Sequence, residues 1–161
     1  TYSNNLLEEF ALSYYPSGQL AERIPFEQGV VTAERPYNNK IKAGTVHYYD
    51  LAALIGSDKS RVLVADDDNR LVGTGHATLK SSLDYYIHDR HAYLGLMYVE
   101  PDYRGQGIIQ DILSQLLQWA RGEGVNDFYL DVYTANESAV RAYEKFGFRS
   151  NMVEMRLHDQ W

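Results

Sequence analysis

The clearest pattern of hydrophobic and polar positions lies in the middle of the chain. Residues 61–80 contain two strand-like runs of apolar and polar residues on either side of an Asp-Asp-Asp-Asn turn, which predicts a β-hairpin. Residues 91–99, HAYLGLMYV, form a nearly unbroken apolar run, which is typical of a strand covered on both faces. In residues 105–121, apolar side chains recur four apart from Ile108 to Ala120, and polar side chains fill the opposite face. This segment therefore predicts an amphipathic helix.

The pattern continues as strand, helix and strand. We predict a strand over residues 127–135 and a helix over residues 136–146. Asn136 is the expected N-cap of that helix, and Gly147 ends it. A last strand is predicted over residues 151–158. A strand-helix-strand crossover joins parallel strands, whereas the earlier hairpin is antiparallel. We therefore expect an α/β fold, with a mixed, mostly antiparallel sheet, a central parallel strand pair, and helices on both faces.

The first part of the chain gives weaker signals. We predict a helix over residues 4–15, a strand over 29–36, and a short helix over 46–56. Gly73 and Gly75 form a Gly-x-Gly inside the predicted hairpin, with no helix directly after it. This arrangement favours a bulge or close packing over a dinucleotide site.

Composition narrows the class of protein. The chain has 161 residues, 45% of them hydrophobic, which suits a single domain over residues 1–161. The net charge of -7 argues against a nucleic-acid partner, which would need a basic face. The absence of cysteine excludes disulfides, thiolate zinc sites and a cysteine nucleophile. No leader pattern or membrane-length apolar run occurs, so we expect a cytoplasmic protein without a membrane partner.

The most specific chemistry lies between the apolar strand and the amphipathic helix. PDYRGQGIIQ, residues 101–110, places Arg104, Gly105 and Gly107 where the helix begins. Glycine lets the backbone approach a ligand, and the first turn of a helix has unpaired N–H groups and a partial positive charge. With the charge of Arg104, these features form an anion cradle suited to a pyrophosphate. The alternative is a glycine-rich turn that binds nothing; a P-loop is excluded because no Lys-Ser/Thr pair follows.

A second motif, NESAVRAYEKFGF, occupies residues 136–148. Asn136 and Tyr143 are seven positions apart, so they share one face of the predicted helix. Tyr143 is a candidate proton donor, although in a chain with 14 tyrosines a core position is the simpler interpretation.

The two motifs together, VEPDYRGQGI and NESAVRAYEKFGF in this order, resemble the GNAT superfamily of N-acetyltransferases over about residues 62–157. The resemblance implies transfer of an acetyl group from acetyl-CoA to a primary amine of a small molecule or peptide. It implies that residues 62–157 form the cofactor-binding core and that residues 1–60 supply acceptor-side elements. It also implies that the strand before the loop splays from its parallel neighbour, and that pantetheine lies in the gap like an added strand.

The resemblance also assigns residues to the cofactor. Met97, Tyr98 and Val99 would line the acetyl-pantetheine, Asn136 would contact the cofactor arm, and Tyr143 would lie near the sulfur. The pyrophosphate would be held by Arg104, Gly105, Gln106, Gly107, Ile108 and Ile109. The family usually has Gly or Ala at the position of Ile109, so this side chain must point into the core if the cradle is to stay open. Residues 1–45 lack the usual opening pattern, and the acceptor is therefore not identified.

The implied reaction needs a base, an acid and an oxyanion donor. A lysine-like amine has a pKa of about 10.4 and attacks only when neutral. The candidate bases are Asp131, in an apolar strand where an unpaired carboxylate would be costly, Glu100, at the end of the preceding strand, and His91, at its start. A strand N–H near Val99, left unpaired by the splay, would stabilise the oxyanion. Tyr143 would protonate the leaving thiolate.

Other functions stay open at this point. The protein could be a non-catalytic module that binds acyl-CoA. It could also be an enzyme that transfers a succinyl group or a longer acyl chain. A plain interaction domain is a further alternative, but it would leave the glycines of the loop unexplained. Residues 88–91, HDRH, with Asp84 nearby, fit no strong metal template, so we predict no metal. A homodimer is compatible with the sequence.

Overall fold

A computed structural model describes residues 49–68, 70–155 and 157, together with the backbone of residues 30–31 and 46–47. Val30–Val31 (β1) and Val46–His47 (β2) form a short antiparallel pair. The helix predicted over residues 4–15, and most of the strand predicted over 29–36, lie outside the described residues.

The helix predicted over residues 46–56 is shorter in the structure. Helix α1 spans Leu51–Gly56, whereas Val46 and His47 are strand residues. The Asp50 side chain accepts a hydrogen bond from the backbone N–H of Ala53 at 2.9 Å. Asp50 is thus the N-cap and fixes the start of the helix after the aromatic pair.

The main sheet has four described strands in the order β3-β4-β5-β6. These strands are β3 (Ser60–Asp67), β4 (Arg70–Ser81), β5 (Arg90–Val99) and β6 (Phe128–Leu130). The pairs β3–β4 and β4–β5 are antiparallel, and β5–β6 is parallel. The predicted mixed, mostly antiparallel sheet with one parallel pair is therefore confirmed.

The last predicted strand is not formed within the described residues. Residues 151–155 and 157 carry no strand, so the parallel pair lies at the edge of the described sheet. The side chains of Met152, Val153 and Met155 are 67–90% exposed. The alternation in the sequence predicted a strand, but no described ladder or apolar surface lies against these side chains to hold one. Strand β6 is also shorter than predicted, since residues 131–135 leave the ladder.

Helix α2 (Ile108–Gly122) crosses one face of the sheet. It begins three residues later than predicted because Gly105 and Gly107 have φ angles of 77° and 89°, which are not helical. Its buried stripe packs against β4 and β5 through the core residues Ala77, Leu94, Met97, Ile112, Leu113, Leu116 and Leu117. Helix α3 (Glu137–Phe146) follows the N-cap Asn136 and ends at Gly147, as predicted.

Gly73 and Gly75 let α2 lie directly on β4. A methyl group added at Gly75 would stand 2.6 Å from Cγ2 of Ile112, and one added at Gly73 would stand 2.9 Å from Cγ2 of Ile108. The β4–β5 register also shifts between Thr74 and His76. The expectation of close packing at these glycines is confirmed, whereas the extra residue of the bulge lies on β5, where Leu96 and Met97 both stand opposite Gly75.

The opposite face of the sheet is covered by α1. Leu51 is buried there and packs with Tyr49 and Leu96, whereas Met97, the next residue of β5, packs against α2. Alternation just before the bulge puts Leu94 in the core under α2 and Gly95 against Tyr49, so helices lie on both faces as predicted. None of the helices in the described part of the chain is long and apolar enough to cross a membrane.

Candidate active site

The parallel strands β5 and β6 pair over three residues only. The pairs are Ala92 with Phe128, Tyr93 with Tyr129, and Leu94 with Leu130, and β5 then continues to Val99 without β6 beside it. The two strands therefore diverge after Leu94. The open side of β5 beyond this point can accept an extended ligand as an additional strand.

The backbone of Val99 faces this opening. The N–H of Glu100 donates to the carbonyl of Val72 on β4 at 2.8 Å, and Val99 is the register partner of Gly73. In an antiparallel ladder this pattern makes Val99 and Gly73 a non-hydrogen-bonded pair, so the N–H and C=O of Val99 point away from β4. The Val99 carbonyl accepts a hydrogen bond from Nε of Arg104 at 2.9 Å. The Val99 N–H is thus directed toward the side that β6 has left.

A glycine loop joins β5 to α2 after a 3-10 turn at Pro101–Tyr103. Gly107 is the N-cap of α2 and supplies no side-chain acceptor to the first turn. At both Gly105 and Gly107, an added Cβ would have no atom of the described residues within 4 Å. Within the described part of the chain, the N-terminus of α2 is therefore uncovered, and its first N–H groups are available to a ligand. This geometry fits the phosphates of a coenzyme A.

The other residues of the glycine loop are fixed by contacts with the rest of the protein. Gln106 donates from Nε2 to the carbonyl of Asp102 at 3.1 Å, and Arg104 is anchored by the bond to Val99. Ile108 and Ile109 pack against the core on the protein side of the loop. The condition that the sequence imposed on Ile109 is met, because the β-branched side chain points into the core and leaves the cradle open.

Two predicted pantetheine contacts have buried side chains. Met97 is 4% exposed and packs against α2, and Tyr98 is 2% exposed. The Tyr98 hydroxyl donates to Oε2 of Glu100 at 3.3 Å, and burial, helped by the Glu100 carboxylate, raises the pKa of Tyr98. Any contact of these two residues with a ligand in the opening must therefore come from their backbone.

The side chain of Asn136 caps the N-terminus of its own helix, α3. It is 6% exposed, and its Oδ1 accepts hydrogen bonds from Ser138 Oγ at 3.1 Å and from the N–H of Ala139 at 3.3 Å. Its predicted contact with the cofactor arm stays a prediction, and only the amide nitrogen could make it.

Tyr143 lies on α3 and packs against the main core, in edge contact with the ring of Phe148. Burial raises the pKa of Tyr143 to about 12. The phenol therefore keeps its proton throughout the neutral and mildly alkaline range, so Tyr143 is in the form that can donate a hydrogen bond or a proton.

Asp131 is not the buried carboxylate that the sequence suggested. It directly follows the last paired residue of β6, where the strands diverge, and its side chain is exposed because β6 ends at Leu130. Its Oδ2 accepts a hydrogen bond from the hydroxyl of Tyr93 at 2.8 Å. Tyr93, on β5, was not singled out in the sequence. Its alternation with Leu94, a core residue, could have indicated that it lies on the opposite face.

The other two candidate bases lie at the two ends of β5. Glu100 follows the last residue of the strand, beside the glycine loop, and accepts the Tyr98 hydroxyl. His91 stands at the start, roughly 26 Å from Val99 at about 3.3 Å per residue. Asp131 alone is next to the point of divergence. We therefore favour Asp131 over Glu100 and His91.

His91 belongs to a separate polar group. Its Nδ1 is hydrogen-bonded to Ser82 Oγ at 2.9 Å, and the same oxygen is 2.7 Å from Nδ1 of His88. The Nε2 of His88 is 2.8 Å from the Tyr129 hydroxyl. Burial lowers the pKa of His91, with His88 and Lys80 acting in the same direction and Asp127 against it.

His76 is a buried polar residue that the sequence analysis missed. It is 2% exposed, and its Nδ1 has no hydrogen-bond partner within the described structure. Its ring makes an edge contact with Tyr49 at 5.1 Å between centroids. Burial lowers the pKa of His76, with Lys80 acting in the same direction and the Gly95 backbone against it. The imidazole therefore favours its neutral form.

The ring of His76 also explains Gly95. A Cβ added at Gly95 would collide with Cε1 of His76 and stand 2.8 Å from the Tyr49 hydroxyl. We expect Gly95→Ala to destabilise the protein by about 1–3 kcal/mol, because overpacking forces this buried ring to shift. Thermal unfolding checks this, with Gly122→Ala as the matched control, since a Cβ there meets none of the described atoms within 4 Å. Equal melting temperatures for the two variants would contradict the packing described.

Comparison with known proteins agrees with this geometry. Residues 27–148 match the model of the Acetyltransferase (GNAT) family. Acetyltransferase Atu2258 of Agrobacterium fabrum is 35% identical over 104 residues, which cover 62% of this chain and 67% of that protein. The thialysine N-epsilon-acetyltransferase of Sus scrofa is 35% identical over 79 residues, 47% of this chain and 46% of that protein. The chain thus spans about two thirds of the first relative and about half of the second.

A solved structure shows the same fold. The predicted acetyltransferase of Clostridium acetobutylicum, determined with acetyl-CoA, superposes with a TM-score of 0.56 at 22% identity, over 67% of this chain and 69% of that one. The chain belongs to the GNAT family of acetyltransferases. The family and the class of enzyme predicted from the sequence are confirmed.

Proposed function

We propose that this chain transfers the acetyl group of acetyl-CoA to a primary amine, with Asp131 as the general base and Tyr143 as the general acid. The observation that carries the proposal is the position of the Asp131 carboxylate, directly after the last pair of β5 and β6 and beside the opening between them. A thioester carried along this opening would come within reach of the carboxylate. Acetyl-CoA would supply the activated acetyl group.

The residues of the chain divide the work along β5. The N–H groups at the start of α2 and the guanidinium of Arg104 would hold the pyrophosphate. The backbone of residues 97–99 would hold the pantetheine arm as an added strand. The Val99 N–H faces the opening but lies roughly 13 Å along β5 from the position level with Asp131, at about 3.3 Å per residue, so it would hold the pantetheine arm rather than the carbonyl beside Asp131.

Asp131 has the chemistry of an amine-activating base. A carboxylate accepts a proton from an ammonium, and here the Tyr93 hydroxyl fixes one of its oxygens while the other stays available. Its exposure in the free protein suits a group that must meet an acceptor from solution. The names of relatives, such as the thialysine N-epsilon-acetyltransferase, support an amine acceptor without identifying it for this chain.

Binding and turnover are tested separately. Calorimetric titration with acetyl-CoA, with free adenosine as a control, tests the cradle, and release of CoA with a panel of primary amines tests the reaction. Binding with release above background is the expected result. Tight binding with no release from any amine would replace the enzyme with a non-catalytic acyl-CoA-binding module. Absence of binding would leave the glycine loop as a structural turn.

Replacing Tyr143 with phenylalanine should lower turnover and leave the affinity for acetyl-CoA nearly unchanged, because only the proton donor is lost from a packed ring. Since the pKa of Tyr143 is about 12, loss of this proton should cause no alkaline fall in the wild-type rate below that pH. Steady-state kinetics and calorimetry measure the two quantities. Unchanged turnover would remove Tyr143 from the mechanism.

A further inference from the structure

We propose that Lys80 is a site of self-acetylation; this inference rests on the proposed function. Lys80 lies on β4, exposed, as the register partner of His91. Its ammonium nitrogen stands over the ring of Tyr93, 4.0 Å from the centroid. The chain thus holds one of its own primary amines on the sheet face that carries Tyr93.

Lys80 is close to the proposed base. The hydroxyl of Tyr93 donates to Asp131 at 2.8 Å, so one phenol ring and one hydrogen bond separate the Lys80 nitrogen from the carboxylate. Asp131 in turn stands where β5 and β6 diverge. The proposed step needs the nitrogen to move past the ring edge to the carboxylate, and the four flexible methylene groups of a lysine let it leave the ring face without a change in the backbone.

The electrostatics of this surface favour a cation. The face of an aromatic ring attracts an ammonium, and a carboxylate attached to the same ring through a hydrogen bond adds a full negative charge. An amine acceptor from solution would be attracted by the same groups. Lys80 therefore occupies the position that the chemistry of the site offers to an acceptor amine.

The step balances with acetyl-CoA as the co-reactant. Asp131 takes a proton from the Lys80 ammonium, and the neutral nitrogen forms an N–C bond with the acetyl carbonyl carbon. The C–S bond breaks, and the thiolate takes a proton from Tyr143. The products are N-acetyl-lysine and CoA. The acetylated side chain is neutral, so it loses its attraction to the Tyr93 ring, and the ring face becomes free for another cation.

The remaining described lysines supply internal controls. Lys59 and Lys145 are also exposed, but Lys59 lies in the turn before β3 and Lys145 in the last turn of α3. Neither is packed over an aromatic ring in the described structure. Non-enzymatic acetylation would modify them as readily as Lys80, whereas the proposed reaction selects Lys80.

The experiment is incubation of the purified protein with acetyl-CoA, followed by peptide mapping in a mass spectrometer, with calorimetry of acetyl-CoA binding in parallel. We expect acetyl-Lys80 to form about tenfold faster than acetyl-Lys59 or acetyl-Lys145, because its amine is held near the base. The rate constant should not depend on protein concentration, since the reaction occurs within one chain. The Asp131→Asn variant should lose the preference for Lys80.

The outcomes separate the inference from the proposed function. If acetyl-CoA binds and external amines are acetylated, but Lys80 reacts no faster than Lys59, the inference is wrong and the function stands. If Asp131→Asn acetylates Lys80 as fast as the wild type, the modification is chemical and the inference is also wrong. If acetyl-CoA does not bind, both fall. In Lys80→Arg, which keeps the charge over the ring, acetylation at this position should disappear while acetyl-CoA binding is retained.

Discussion

The Asp131→Asn variant is expected to turn over an amine acceptor about 100-fold to 10,000-fold more slowly than the wild type, which is the usual contribution of a general base. The amide keeps the shape of the side chain and can still accept a hydrogen bond from Tyr93, but it cannot accept the proton of an ammonium. The affinity for acetyl-CoA should be unchanged because the loop at residues 104–109 is untouched. Release of CoA across a pH series, together with calorimetry, measures both effects.

The pH series makes this test specific. A carboxylate base gives the wild-type rate an acidic limb, and the asparagine variant should lose that limb rather than only run more slowly. Asp58→Asn, which changes an exposed turn carboxylate elsewhere, is the matched control and should behave as the wild type. If the variant kept both its rate and its acidic limb, another residue, Glu100 or His91, would have to be the base.

The second large effect is expected at the glycine loop. Gly107→Asp should weaken acetyl-CoA binding about 10-fold to 100-fold, because it places a negative charge at the helix N-terminus that would meet the pyrophosphate. Gly107 has a φ of 89°. Aspartate and asparagine tolerate positive φ better than most residues, so the loop should keep its course in either variant.

Gly107→Asn isolates the charge. It has nearly the same shape and the same backbone demand as the aspartate, so it should lose only a small part of the affinity. The difference between the two variants should shrink at high salt, since salt screens exposed charges. Calorimetric titration at two ionic strengths checks this. Equal affinities for Asp and Asn would mean that the phosphates lie elsewhere.

Periodicity predicted those parts of the fold that are fixed by local pattern. The hairpin of β3 and β4, the strand β5, helix α2 and the Asn136 cap all follow from spacing and turn chemistry, and all are present. The start of α2 was predicted three residues early, because Gly105 and Gly107 are compatible with several backbone conformations and the sequence does not choose among them. The prediction of a final strand over residues 151–158 was wrong for another reason. A strand needs a neighbouring strand to pair with, and the alternation at Met152 and Val153 does not supply one.

Some residues of the candidate site were likewise predicted from the sequence, and others were not. Arg104, Gly105 and Gly107 were found because their types are unusual at the start of a helix. Tyr93 and Lys80 were not, because an aromatic residue in an apolar run and a lysine at a strand end are common features. Their contact appears only when β4 and β5 are placed in register. Asp131 was chosen for a burial that it does not have, and the geometry supports it on different grounds.

The short pairing of β5 and β6 has a cost outside catalysis. The stretch of β5 from Gly95 to Val99 presents main-chain groups on its open side, and unpaired strand edges are templates for pairing with other chains. Acetyl-CoA bound in the opening would cover that edge. We therefore expect protein prepared without acetyl-CoA to aggregate more than protein prepared with it during purification and storage. The solubility of the protein is thus expected to depend on whether a ligand fills this gap.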